Sequence, residues 1–283
     1  MIVPHYNDLR RLERCLAALE PQLTDDVVEV VVVDNGSTDP LSGLEARFPW
    51  ARFVVESMKG AAAARNRGVL ETRAPRLFFL DADCVPARDW LATALGLGLP
   101  TGAIGGRVDV FDETPGPRSG PEAFETVFAF HQKDYVEKKG FSVTANLLTS
   151  RTVFDAVGPL RPGLSEDLEW CRRLTAAGFP LRYRDDLVVR HPTRSDWTAL
   201  ERKWRRLTSE MFETRGSGAR SRVLWAARAF ALVPAAIVQS GAIFSEPALS
   251  WSERWRALVT LFRLRFLRAV WMIRQAATGR AGG

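Results

Sequence analysis

Two carboxylates stand two residues apart at Asp81-Ala82-Asp83, directly after the apolar run Arg76-Leu77-Phe78-Phe79-Leu80. Hard divalent cations take oxygen ligands, and Mg2+ or Mn2+ typically uses one or two carboxylates together with phosphate oxygens. The same pair also suits a turn that closes a strand. Asp34 ends the earlier run and faces the same crevice, where a carboxylate can accept from a base N–H or from ribose hydroxyls. In Asn35-Gly36-Ser37-Thr38-Asp39-Pro40, the first two residues read as a turn, and Asp39 and Pro40 as a helix N-cap and first helical residue. Gly60-Ala61-Ala62-Ala63-Ala64-Arg65-Asn66-Arg67-Gly68 opens a helix with small side chains that permit close approach of a ligand. Arg65 and Arg67 can pair with phosphate or base oxygens, or stand exposed on an ordinary alanine-rich helix. Ser165-Glu166-Asp167 begins another helical pattern. The serine and acids suit a helix start, and Asp167 also suits a general base for an acceptor hydroxyl. The helix terminus would lower its pKa and Glu166 would raise it. His191, one of three histidines, is a structural residue or a partner completing a metal shell beside aspartates.

These groups need a scaffold that brings strand ends together. Val27–Val33 and Arg76–Leu80 read as buried parallel strands, and Asp8–Leu19, Leu41–Phe48 and Ala61–Thr72 as helices between and before them. Alternating strands and helices predict an α/β fold, a mostly parallel sheet covered on both faces, with ligands beyond the C-terminal strand ends. Only Met1, Ile2 and Val3 precede Pro4, so the first strand reads as clipped. Beyond Gly102–Val108 the pattern predicts a loop at 115–121, a helix over 122–137, a strand over Phe141–Leu148, a helix over Ser165–Ala177, and strand and loop over Arg182–His191.

The chain has 283 residues, 46% hydrophobic and 25% charged, which fits a folded domain with an appendage and excludes disorder. Residues 1–195 carry 24 Lys and Arg against 27 Asp and Glu, whereas residues 196–283 carry 15 against 6. The net charge of +6 therefore belongs to the C-terminal segment and points to an anionic partner there. Val223–Phe244 is long enough to span a bilayer, yet it contains Arg228, Pro234 and Gln239, which favours a packed or membrane-surface helix. In the helix predicted over 251–275, Trp255, Leu258, Val259, Phe262, Phe266, Val270 and Ile273 share one face, and Leu264, Leu267 and Trp271 the opposite one. Arg256 and Arg263 lie on one border, and Arg254, Arg265 and Arg268 on the other. One face can pack on the protein while the other meets lipid, with arginines reaching phosphates; a basic helix buried on two sides is the equal alternative. The interleaved apolar residues suit lipid better than nucleic acid. Three scattered cysteines and no signal peptide predict a reducing, cytoplasmic setting.

Five segments in order, Val3-Pro4-His5-Tyr6-Asn7, Val32–Asp39, Ala64-Arg65-Asn66-Arg67-Gly68, Phe79–Pro86 and Ser165–Glu169, resemble the family 2 glycosyltransferases of GT-A fold. The resemblance covers residues 1 to about 195. It implies a GT-A catalytic domain over 1–195, with a nucleotide-sugar half to about 110 and an acceptor half over 111–195; residues 196–283 lie outside it and read by their own pattern as a basic amphipathic helical extension. It implies that Pro4, Tyr6 and Asp34 hold base and ribose, that Arg65 contacts base or diphosphate, and that Asp81 and Ala82 lie at the ribose or sugar. It implies Asp83 and His191 at a Mn2+ or Mg2+ ion, and Asp167, paired with Glu166, as the base of an inverting displacement. The donor would be a nucleotide sugar, UDP-linked by preference. The acceptor would be lipid-linked or saccharide, as in envelope polysaccharide assembly, met peripherally on the inner face of the cell membrane. The Gln-x-x-Arg-Trp motif of processive synthases is absent, which implies transfer of single sugars. A nucleotidyltransferase would need a glycine- and basic-rich loop after the first strand, where Pro4-His5-Tyr6-Asn7-Asp8 stands instead, and a non-catalytic scaffold would not need the full acidic set.

Overall fold

The computed structural model describes residues 1–23, 28–163, 165–215 and 218–281. The chain begins with β1 (Ile2–His5), α1 (Leu9–Leu19), β2 (Val30–Asp34), α2 (Ser42–Arg47), β3 (Ala51–Val55), α3 (Ala61–Glu71) and β4 (Arg76–Leu80). These are followed by β5 (Val85–Pro86), α4 (Trp90–Gly96), β6 (Ala103–Phe111), α5 (Gly120–Phe128), α6 (Gln132–Lys139), β7 (Asn146–Ser150), α7 (Arg151–Val157), α8 (Glu166–Ala176) and β8 (Leu181–Pro192). Three long helices end it: α9 (Trp197–Arg215), α10 (Ala219–Ser245) and α11 (Trp251–Thr278).

The strands form one sheet in the order β3-β2-β1-β4-β7-β6-β8-β5. Strands β1 to β4 run parallel, with Ile2 opposite both Val31 and Phe79. Antiparallel β7 then pairs with β4 and β6, so the sheet is mixed beyond its parallel half. Asn146 fixes this second half: its amide donates to the carbonyls of Arg107 and Leu187 and accepts from the Trp90 indole. Ile2, Leu77, Phe79, Leu147, Phe154 and Trp170 are buried in one core cluster.

Several elements differ from the sequence reading. The second strand is Val30–Asp34, and Val27, its expected start, lies outside the described residues. The helix expected over 122–137 is two helices, and the strand expected from Phe141 starts at Asn146. Asp39 and Pro40 do not start α2, which begins at Ser42 with Leu41 at its N-cap. The edge strand β3 carries no continuous apolar run and was not expected.

Packing divides the described chain into two units, residues 1–109 with 131–191, and residues 110–130 with 192–283. The segment 110–130, read from the sequence as belonging to the acceptor half, thus groups with the C-terminal helices. In that second unit Ala123 and Phe124 of α5 are buried with Leu200, Ile243, Leu261 and Leu264. A capping box at Ser250 and Glu253 starts α11. Arg265 and Arg268, on a border of α11 for which the sequence left lipid contact and burial as equal alternatives, are buried. Arg265 donates to the Gln239 side-chain oxygen, and Arg268 to the Thr208 hydroxyl while lying over the Trp204 ring. Burial, with Arg265 and Arg228 nearby, draws Arg268 down to about 9.

Candidate active site

The site grows from strand ends in the first unit. Strand β4 stops at Leu80, and a tight turn in which the Cys84 N–H donates to the Asp81 carbonyl presents Asp81 and Asp83. The Asp81 carboxylate meets the Arg65 guanidinium at 2.6 Å, and the same guanidinium meets Glu166 at 3.1 Å. Arg65 is therefore not an exposed helix cation. Its side chain is 6% exposed, and it bridges the end of β4 to the first turn of α8. Close approach of α3 to the sheet makes this possible: at Gly68 an added Cβ would lie 2.4 Å from Ile2 Cγ2.

Asp167, next along α8, accepts from the Thr144 hydroxyl at 2.8 Å. Burial raises its pKa to about 6; Arg65 pulls it down, and Glu166 and Asp81 push it up. Burial, which the sequence alone does not show, is the largest influence on this carboxyl, and Glu166 adds to it. The side chain of Ser165 makes no cap bond to α8, so capping does not explain this run of residues. A carboxyl with a pKa near 6 is suited to accept a proton near neutral pH.

Asp83 lies on the other side of the turn, 3.1 Å from His191 Nε2 on β8. Among the described residues no group of three His, Cys, Asp or Glu side chains could hold a metal ion. Asp83 and His191 could offer a cation two ligands at most, and Mg2+ or Mn2+ there would take the rest of its shell from phosphate oxygens and water. Cys84, beside Asp83, is a buried thiol held well above its usual pKa, first by burial and then by Asp83 and Asp81, and offers no thiolate.

A cavity of about 510 Å3 opens in front of these groups, its wall including Pro4, Tyr6, Arg65, Asp81, Ala82 and Asp83. Asp34, Glu166, Asp167 and His191 do not belong to that wall. Glu166 reaches it through Arg65, and His191 through Asp83. The Asp34 carboxylate accepts the Ser37 N–H and hydroxyl, holding its own loop. Ser37 accepts the Asn7 N–H, and the Asn7 side chain accepts the Thr38 N–H, so the loops after β1 and β2 are clasped together. The sequence reading missed Asn35 and Lys59, which also line the cavity. Asn35 accepts the Gly60 N–H and donates to the carbonyls of Glu56 and Met58. Lys59 lies over the Tyr6 ring at 5.0 Å and donates to the Gly36 carbonyl. Only the position of Lys59, just before the small-residue start of α3, hinted at it. Thr144 carried no motif at all.

The sequence profile described as Glycosyl transferase family 2 matches residues 1–168. The chain belongs to glycosyl transferase family 2. This glycosyltransferase is 30% identical over 215 residues to Glycosyltransferase AglE of Haloferax volcanii, covering 72% of the present chain and 70% of that protein. It is 29% identical over 219 residues to the Pre-mycofactocin glycosyltransferase of Mycobacterium tuberculosis, covering 70% of the chain and 44% of the relative. Its fold is similar to that of the mannosyltransferase PcManGT from Pyrobaculum calidifontis, solved in complex with GDP-Man and Mn2+. The TM-score is 0.57 at 19% identity, over 100% of this chain and 74% of the other. The family 2 enzyme thus has the α/β fold of the GT-A transferases, with added C-terminal helices.

Proposed function

We propose that this glycosyltransferase moves one sugar from a nucleoside-diphosphate sugar to an acceptor hydroxyl by direct displacement, with Asp167 as the base. The observation that carries the reading is the Arg65 bridge, which joins Asp81 in the cavity wall to the Glu166-Asp167 pair. Pro4 and Tyr6, with the loop held by Asp34, take the base and ribose. UDP is the favoured nucleotide; the GDP-Man of the PcManGT complex makes GDP the alternative to test. The diphosphate lies toward Asp83 and the start of α3, whose first N–H groups have no partner within the helix. A divalent cation at Asp83 and His191, Mn2+ or Mg2+, supplies positive charge to the departing diphosphate.

Asp81, fixed by Arg65, orients the sugar. Asp167 accepts the acceptor's proton as the hydroxyl oxygen bonds to the anomeric carbon and the bond to the diphosphate oxygen breaks, inverting that centre. Glu166 holds Arg65 and, by its charge, keeps Asp167 basic. The acceptor is lipid-linked or a saccharide precursor of an envelope polysaccharide, glycosylated on the cytoplasmic side of a membrane. Three free, buried cysteines are in keeping with that reducing compartment. The catalytic region is 1–195, and 196–283 is its helical extension.

The test is release of nucleoside diphosphate from UDP- and GDP-sugars in the presence of lipid and saccharide acceptors. Wild type releases it; Asp167→Asn slows release by about 100- to 10,000-fold while nucleotide binding is retained. Turnover unchanged in Asp167→Asn would remove Asp167 from the role of base.

A further inference from the structure

The second unit carries an apolar surface that sugar transfer does not use. Among the described residues seventeen large apolar side chains are exposed; seven lie on α10 and five on α11, twelve of the seventeen. Soluble surfaces scatter such residues singly, so their concentration on one hairpin marks a contact surface. Val223, Phe230, Ile237 and Val238 fall on the outward side of α10, opposite buried Trp225, Ala229, Leu232 and Ala236. Between Val223 and Phe244 the exposed side carries one charge, Arg228 at its margin. On α11 the outward stripe is Trp255, Val259, Phe266 and Ile273. Phe244 joins the two helices, its ring 6.3 Å from Trp251 and 6.2 Å from Trp255.

Charge identifies the occupant. Arg256, Arg263 and Arg274 are exposed and follow one border of the α11 stripe at helical pitch. From 219 to 281 the acids are Glu246 and Glu253, and Glu253 is buried by its bonds to Ser250 and Arg118. A second copy docked through the same face would present the same cationic border and no acidic partner for it. A bilayer of anionic lipid offers hydrocarbon to the stripe and phosphates to its border, with Trp251 and Trp255 suited to headgroup depth.

Helix α10 is also long and apolar enough to cross a membrane. Its inward side, however, is tied to α11 by polar bonds, Trp225 Nε1 to the Gln275 side-chain oxygen at 3.0 Å and Arg265 to the Gln239 side-chain oxygen at 2.7 Å. Crossing would carry the Gln239–Arg265 pair into hydrocarbon, whereas lying flat keeps it inside the protein.

We propose that the α10–α11 hairpin docks flat on an anionic bilayer, burying its outward apolar face at the headgroup boundary while Arg256, Arg263 and Arg274 meet lipid phosphates. The proposal does not depend on the reaction chemistry above. The full chain is sedimented with vesicles of phosphatidylcholine alone and of phosphatidylcholine mixed with phosphatidylglycerol. It binds the mixed vesicles, and the double variant Ile237→Glu/Phe266→Glu stays in solution with its melting temperature unchanged. The triple variant Arg256→Gln/Arg263→Gln/Arg274→Gln binds about 100-fold more weakly and loses most of its salt dependence. The proposal is overturned by wild type that ignores anionic vesicles, or by full binding in the triple variant. Bound protein that resists an alkaline carbonate wash would indicate a crossing helix. A dimer dispersed by Ile237→Glu/Phe266→Glu would assign the face to a second copy.

Discussion

Asp167 and Arg65 control one another. Burial holds Asp167 at about 6, so as a base it is active above that pH and protonated below it. The acidic limb of kcat/KM is therefore expected near pH 6, falling about tenfold per unit of pH below it. Arg65 lowers the Asp167 pKa, so Arg65→Met moves this limb to higher pH. The same change strands the carboxylates of Asp81 and Glu166, and their partial exposure reduces the cost of a broken buried pair to about 1–3 kcal/mol. A limb that stays in place in Arg65→Met would contradict the coupling. The individual members of this group were legible in the sequence because each ends a strand or starts a helix beside a small or turn-forming residue. Their pairing was not. Arg65 and Glu166 are 101 positions apart, and only folding reveals that the arginine is buried between two acids. Asp34 likewise ends a strand, and the bonds its oxygens accept from Ser37, which hold the loop after β2, could not be read from the sequence.

The placement of Arg65 depends on how α3 packs on the sheet. Gly68 faces Ile2 and Val33, where an added Cβ would lie 2.4 Å and 3.2 Å from their side chains. Gly68→Ala forces α3 outward and is expected to lower stability by about 1–3 kcal/mol, read as a lower denaturant midpoint at constant slope. A midpoint within error of wild type would show that the contact yields freely. Strands β2 and β4 were legible because buried parallel strands are continuous apolar runs. Strand β3 was not, because it has a partner on one side only and does not need such a run. The helix expected across 122–137 breaks at residues 129–131, where no proline or glycine signals the break.

Across the whole molecule, the sequence separated an acidic N-terminal region from a basic C-terminal one, and in the folded chain the arginines of α11 fall into two sets. Arg265 and Arg268 are buried and bonded to Gln239 and Thr208, while Arg256, Arg263 and Arg274 remain exposed along α11. A helical wheel finds both sets on borders of α11 and cannot tell which border faces a neighbouring helix. Donor binding is likewise a property of the folded chain and appears as stabilisation. At about 100 times its Kd a nucleotide adds about 2.7 kcal/mol, an upward Tm shift of about 5–10 °C for a chain of this size. The most direct test of the site is thermal unfolding of wild type, Asp83→Ala and Asp167→Asn with UDP or GDP, with and without Mn2+. The account predicts a Mn2+-dependent rise in wild type that Asp167→Asn keeps and Asp83→Ala loses. It is contradicted if neither nucleotide raises the Tm under any of these conditions, or if Asp83→Ala shows the full metal-dependent rise.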